Sequence, residues 1–145
     1  MPQMIFVNLP VSDLARSIAF YEAMGASQNP KFSDEQSMCM VFSDAIYLML
    51  LSREKFASFT SRPIADAHAT VQAMLCLSAD SRGQVDSLIA GAAAANGSAD
   101  PNPQQDYGFM YGRSVEDPDG HIWEIMWMDP GAAEPGPDAS GARGG

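Results

Sequence analysis

Val115-Glu116-Asp117-Pro118-Asp119-Gly120-His121-Ile122-Trp123-Glu124 reads as the end of one strand, a tight turn and the start of a second strand. Pro118 presets one backbone dihedral and Gly120 accepts a positive φ, so residues 117–120 fold the chain back on itself. Working backward, Tyr107, Phe109, Tyr111 and Arg113 alternate along a strand over 107–115, and 121–128 is its partner. Pro101 and Pro103 interrupt the chain ahead of that pair. Before them, Asp80 or Ser81 caps a helix whose buried stripe is Val85, Leu88, Ile89 and Ala92, and Asn96-Gly97 ends it. The small residues Gly91 to Ala95 let that helix pack closely, and Val71 to Ser78 supplies the strand before it.

The first half has the same order. Ile5-Phe6-Val7-Asn8-Leu9 predicts a strand halted by Pro10, and Ser12 is placed to cap a helix running to about Met24. Leu14, Ile18 and Tyr21 fall on one helical face, and Gly25 supplies a left-handed stop. Strands are expected over 27–33, 38–42 and 46–51, with Ser43-Asp44 turning between the last two and a helical turn or two from Arg53 to Phe59. Residues 61–67 read as a loop. Strand–helix–three strands therefore occurs twice, offset by about 70 residues, with Leu9 matching Leu77 and Ile46-Tyr47-Leu48 matching Ile122-Trp123-Glu124. One such module leaves a sheet face uncovered, and two can set their sheets around a shared concave cavity.

The chain has 145 residues, 46% of them hydrophobic and 18% charged, the size and balance of one globular domain. The expected division is one domain over 1–130, with modules at about 4–60 and 70–129, and a disordered tail over 131–145, where Gly, Ala and Pro dominate. Eighteen acidic residues against eight basic ones leave a net charge of −10, which argues against a nucleic acid partner. No run reaches the ~18 apolar residues that cross a bilayer, so no membrane partner is expected. Cys39 and Cys76 lie singly inside apolar runs, and Met1-Pro2-Gln3-Met4 lacks the marks of a signal peptide. A cytoplasmic location is the expectation. With only His68 and His121 present, a three-histidine metal site is excluded unless subunits share it.

Phe6-Val7-Asn8-Leu9-Pro10-Val11-Ser12-Asp13-Leu14, with Arg16-Ser17 and Phe20-Tyr21, resembles the opening of vicinal-oxygen-chelate proteins. The 115–124 hairpin resembles their closing one. That superfamily includes glyoxalase I, bleomycin-resistance proteins and extradiol dioxygenases, and the resemblance covers about residues 4–129. It implies an α+β fold of two βαβββ modules forming a cup-shaped mixed sheet, commonly in a homodimer. It also implies that metal-using members draw four ligands from positions matching Phe6, Leu48 (or its neighbour Met49), Met74 and Glu124. Only Glu124 is a competent oxygen ligand, because a benzyl group and an isobutyl group cannot coordinate and a thioether suits hard ions poorly. The expectation is no metal and no other cofactor.

Strand alternation predicts that Glu124, Ile122 and Met126 share the cup with Phe6, Asn8, Met74, Cys76, Ser78, Leu48 and Leu50. Such a soft, mostly apolar lining suits a small organic molecule with one or two polar anchors. A core face filled by its own side chains is the competing reading. Glu124 is the candidate catalytic residue, as a proton-transfer or ligand-orienting group, with a structural ion pair to Arg113 and metal ligation as its other readings. Tyr111 and Arg113 are candidate ligand contacts, or else a packed face with a snorkelling Arg. Cys76 is expected to be a buried, inert thiol and His121 an exposed group at a strand start; His68 receives no role.

These residues point to a protein of the glyoxalase/bleomycin-resistance type that binds a small organic molecule in the cup without the usual metal. Two alternatives stand beside it: a metal-dependent lyase of the glyoxalase I type or a dioxygenase, and a non-catalytic dimeric module with a filled cavity.

Overall fold

Asp13, one residue beyond the expected Ser12, starts the first helix: its side chain accepts the backbone N–H of Arg16 at 3.1 Å. The Ser12 hydroxyl instead accepts from the Arg16 guanidinium at 2.9 Å, and its N–H donates to Asp119 Oδ1 in the other half of the chain. The computed structural model describes residues 3–133. In the first module β1 (Ile5–Val11) leads into α1 (Leu14–Ala23), and Gly25, at φ +103°, ends the helix in the left-handed region as expected. The chain continues through β2 (Ser27–Asp34), β3 (Ser37–Val41), β4 (Ile46–Ser52) and the short α2 (Arg53–Ala57). The second module has β5 (Met74–Ser78), α3 (Arg82–Ala94), the two-residue strands β6 (Ser98–Ala99) and β7 (Gln105–Asp106), β8 (Met110–Glu116) and β9 (Ile122–Met128), followed by α4 (Pro130–Ala133). Of the two proposed caps for α3, Ser81 is the one used. The tail expected from 131 falls, beyond residue 133, outside the described residues.

The fold is α+β, with two mixed sheets. Their orders are β1-β4-β3-β2 and β5-β9-β8-β6, with β7 also on β8. In each module the first and last strands pair in parallel, β1 with β4 and β5 with β9, which requires the crossover that the helix provides. Pro10 is tolerated because β1 is an edge strand, where a missing N–H breaks no ladder.

The core lies on the helix-bearing sides of both sheets. Phe20, Tyr21, Leu48, Leu50, Val85, Ile89, Trp123 and Ile125 form one buried cluster that spans the two modules. α3 packs on α1 beside Gly91, where a methyl group would meet the Ala23 carbonyl at 3.7 Å, an ordinary contact, so the small residue is not what sets the approach. No helix among the described residues is long and apolar enough to cross a membrane.

Polar groups register one module on the other. The Tyr21 hydroxyl donates to Asp117 Oδ2 at 2.6 Å and accepts from Trp123 Nε1 at 2.9 Å, all three side chains being buried. Asp117 also accepts the backbone N–H groups of Asp119 and His121, which shapes the 117–120 turn. Burial raises the Asp117 carboxyl above its usual range, and the same burial together with Asp117 raises the Tyr21 phenol.

Tyr21→Phe removes the donor to Asp117 and the acceptor for Trp123 while keeping the ring. We expect a loss of about 1–3 kcal/mol in urea unfolding, the usual penalty for a stranded buried polar group. A loss below a few tenths of a kcal/mol would mean that the chain of hydrogen bonds carries no stability.

Candidate functional site

Each sheet presents one face away from its helix. On the first sheet this face carries Phe6 opposite Tyr47 and Asn8 opposite Met49, and the Phe6 and Tyr47 rings stack at 4.7 Å. On the second it carries Met74 opposite Ile122, Cys76 opposite Glu124 and Ser78 opposite Met126. The expected sharing of a face by Phe6 with Asn8, and by Met74, Cys76, Glu124 and Met126, is what the strands produce. Phe6 and Met74 are 49% and 53% exposed, so in a single chain these apolar faces have no cover.

Glu124 sits in the middle of the second face, with Ser114 beside it on β8. Asn102 Nδ2 donates to Glu124 Oε2 at 3.4 Å and lies 3.2 Å from Met74 Sδ. Its loop is fixed by the bond from Asn102 N to Ser114 Oγ. Sequence reasoning missed Asn102, since only Pro101 and Pro103 mark that loop and neither says which strand it lies against. The space beside Glu124, between Cys76, Gly112 and Met126, is about 30 Å3, room for little more than a water molecule.

Four sequence expectations need correction. Leu48, with Leu50, lies under α1 in the core, so the open face at that strand belongs to Tyr47 and Met49. Tyr111 and Arg113 also point to the helix side. The β8–β9 register sets Ser114, not Arg113, opposite Glu124, and the single-residue difference moves the side chain through the sheet. Arg113 instead donates to Asp100 at 2.7 Å and to Asp86 of α3 at 3.0 Å, while the Tyr111 hydroxyl donates to Asp86 at 2.6 Å. Cys76 is exposed, not buried. Partial desolvation by its neighbours nevertheless pushes the thiol up, with the charge of Glu124 adding to the effect. His121 is half-buried, and its Nε2 lies 2.9 Å from the Pro10 carbonyl, which can only accept, so Nε2 carries a proton. His68, unassigned from sequence, pairs through Nδ1 with Glu116 at 3.1 Å.

Residues 3–125 match the sequence profile described as "Glyoxalase/Bleomycin resistance protein/Dioxygenase superfamily". The chain belongs to that superfamily. No curated protein matches it. Its structure is similar to a glyoxalase-related enzyme from Fulvimarina pelagi at 22% identity, covering 88% of each chain with a TM-score of 0.73. It is also similar to a glyoxalase/bleomycin resistance protein/dioxygenase family enzyme from Burkholderia phytofirmans PsJN, at 18% identity and TM-score 0.70 over 88% of this chain and 99% of that one. Fosfomycin resistance protein FosX from Mesorhizobium loti aligns at 12% identity and TM-score 0.64, over 91% and 97%. These likenesses establish a shared fold.

The superfamily's metal can be tested against the residues present. With Met49 replacing Leu48 on the open face, the four implied positions hold a benzyl group, two thioethers and one carboxylate. Among the described residues no three His, Cys, Asp or Glu side chains come together in a way that could hold a metal ion. The donor set does not fit a hard or borderline divalent ion.

Two expectations follow. Native-state thiol labelling modifies Cys76 ahead of the buried Cys39, more slowly than an unhindered thiol, and Glu124→Gln accelerates it by removing a charge that disfavours thiolate; an unchanged rate would separate Cys76 from Glu124. Hydrogen bonds from Tyr111 and Arg113 lower the Asp86 carboxyl, and those from Arg113 lower Asp100. Carboxyls lowered in the folded state stabilise it above their ordinary value, about 3.9, and lose that contribution as pH falls through the lowered values. The stability gap between the parent and Arg113→Met therefore narrows on acidification below about pH 4. A gap that widens in acid would contradict the assignment.

Proposed function

We propose that this protein binds a small organic molecule against the open faces of its sheets, without the divalent metal that the superfamily resemblance implies. The observation that carries the reading is the donor set: one carboxylate, Glu124, among aromatic and thioether groups at the remaining positions. The half-exposed Phe6 and Met74 offer an apolar bed, while Asn8, Cys76 and Glu124 offer points of polar attachment. Glu124, steadied by Asn102, accepts a hydrogen bond from a hydroxyl or amino group of the ligand, and the methionines adapt to its shape. If the ligand reacts, Glu124 is the residue placed to move a proton.

A homodimer fits the same geometry. The space beside Glu124 in one chain is too small for an organic molecule, and a second copy laid against the uncovered faces would enclose one. The cytoplasm is the proposed location.

Metal analysis of protein purified without added metal tests the first half of the reading. The expected result is well below one zinc, nickel or iron per chain, with a melting temperature unmoved by a chelator. Stoichiometric metal would overturn it in favour of a metal-dependent lyase or dioxygenase. A thermal-shift screen of small organic molecules tests the second half, since a ligand at 100 times its Kd adds about 2.7 kcal/mol. A hit whose effect is lost in Glu124→Gln supports the site, and no hit across a broad set would favour a cup filled by its own side chains.

A further inference from the structure

A cavity of about 510 Å3 lies near the module junction, away from Glu124. It lies between the edge strand β1, the start of β9 and the connecting segment over residues 60–73. Its volume falls in the range of roughly 300–1,000 Å3 typical of small-molecule pockets. The segment that roofs it is tied down. His68 pairs with Glu116, and the chain at Ala67–His68 rests so closely on Gly120 that a methyl group there would come within 2.6 Å of His68 N. Gly120 also has φ +96°, so both its space and its conformation require glycine.

The wall is mostly apolar, with Phe56, Ile64, Val71 and Leu75 contributing to it. Arg62 is exposed and lines the same cavity, so its charge stays in contact with water at the mouth. Among the described residues its guanidinium makes neither a hydrogen bond nor an ion pair; Lys55, Arg82 and Arg113 are matched to aspartate, while Arg16, Lys31 and Arg53 also lack an ion pair but do not line the cavity. That the cation lining this cavity has no ion-pair partner among the described residues is the second observation. Asn8 and His121 add polar groups to the lining.

We propose that this junction cavity is a second binding site, for a carboxylate with an apolar body. The body lies against the aliphatic and aromatic wall, and the carboxylate meets Arg62 at the mouth, where the planar guanidinium can take it with paired hydrogen bonds. Glu124 takes no part, and of the polar attachment points on the open faces only Asn8 reaches this cavity, so Glu124→Gln distinguishes the two sites.

Octanoate and its neutral counterpart octanamide are the probes, titrated by calorimetry into the full chain, Arg62→Gln and Glu124→Gln. Saturable octanoate binding, weakened by roughly fivefold in Arg62→Gln, is the expected result, the upper end of what a solvent-exposed ion pair contributes. Octanamide should bind the parent more weakly than octanoate and be indifferent to Arg62→Gln. Glu124→Gln should leave octanoate binding intact. The proposal is overturned if octanoate does not saturate, if Arg62→Gln weakens it less than twofold, or if Glu124→Gln abolishes it. The last outcome would place the ligand on the sheet face. Because Arg62 is exposed in a connecting segment, its replacement leaves the core untouched.

Discussion

The hydroxyl of Tyr21 is the point on which the two modules turn. It comes from the first helix and meets Asp117 and Trp123, both from the closing hairpin, inside a region from which water is excluded. A buried carboxylate needs donors, and Asp117 has three: one phenol and two backbone N–H groups of its own turn. The same residue therefore shapes the hairpin and anchors it to the other half of the chain. Asp119, two positions on, reinforces the junction by accepting from Ser12 N. His121 closes it by donating to Pro10, whose carbonyl is available because β1 is an edge strand.

With the helix-bearing sides joined in this way, the opposite sheet faces are left open. Apolar side chains such as Phe6 and Met74 stay half in water, and Glu124 stands among soft neighbours. The superfamily's fold is kept while three of its four implied ligand positions hold a benzyl group and thioethers beside the one carboxylate, Glu124. The junction creates a second opportunity. The segment linking the modules must span from one sheet to the other, and where it runs between β1 and β9 it lines a cavity that does not include Glu124.

Much of this architecture is legible in the chain itself. The α1 stop at Gly25, the Ser81 cap, the Val85-Ile89-Ala92 stripe and the 117–120 turn all rest on local backbone physics, and each lies where the pattern predicts. Side-chain placement within β5 and β9 was also readable, since Cys76 and Glu124 share a face by simple alternation. Expectations failed where alternation had to be carried between strands. Counting along two strands matches Leu48 to Glu124, and counting across a turn sets Arg113 near Glu124; in each case a one-residue difference in register reverses the face. Asp13 rather than Ser12 caps α1, while Ser12 is held by Arg16 through its hydroxyl and by Asp119, more than a hundred positions away, through its N–H.

Local sequence determined the order of strands and helices, the turns, the membership of the superfamily and the poverty of metal donors, because each depends on residue type and short-range spacing. Tertiary structure alone decided which faces are open, that Arg113 serves aspartates on the helix side, that Asn102 reaches Glu124, and that a cavity lies under the connecting segment. Those facts depend on strand register and on contacts between residues far apart in the chain, and no local pattern encodes either one.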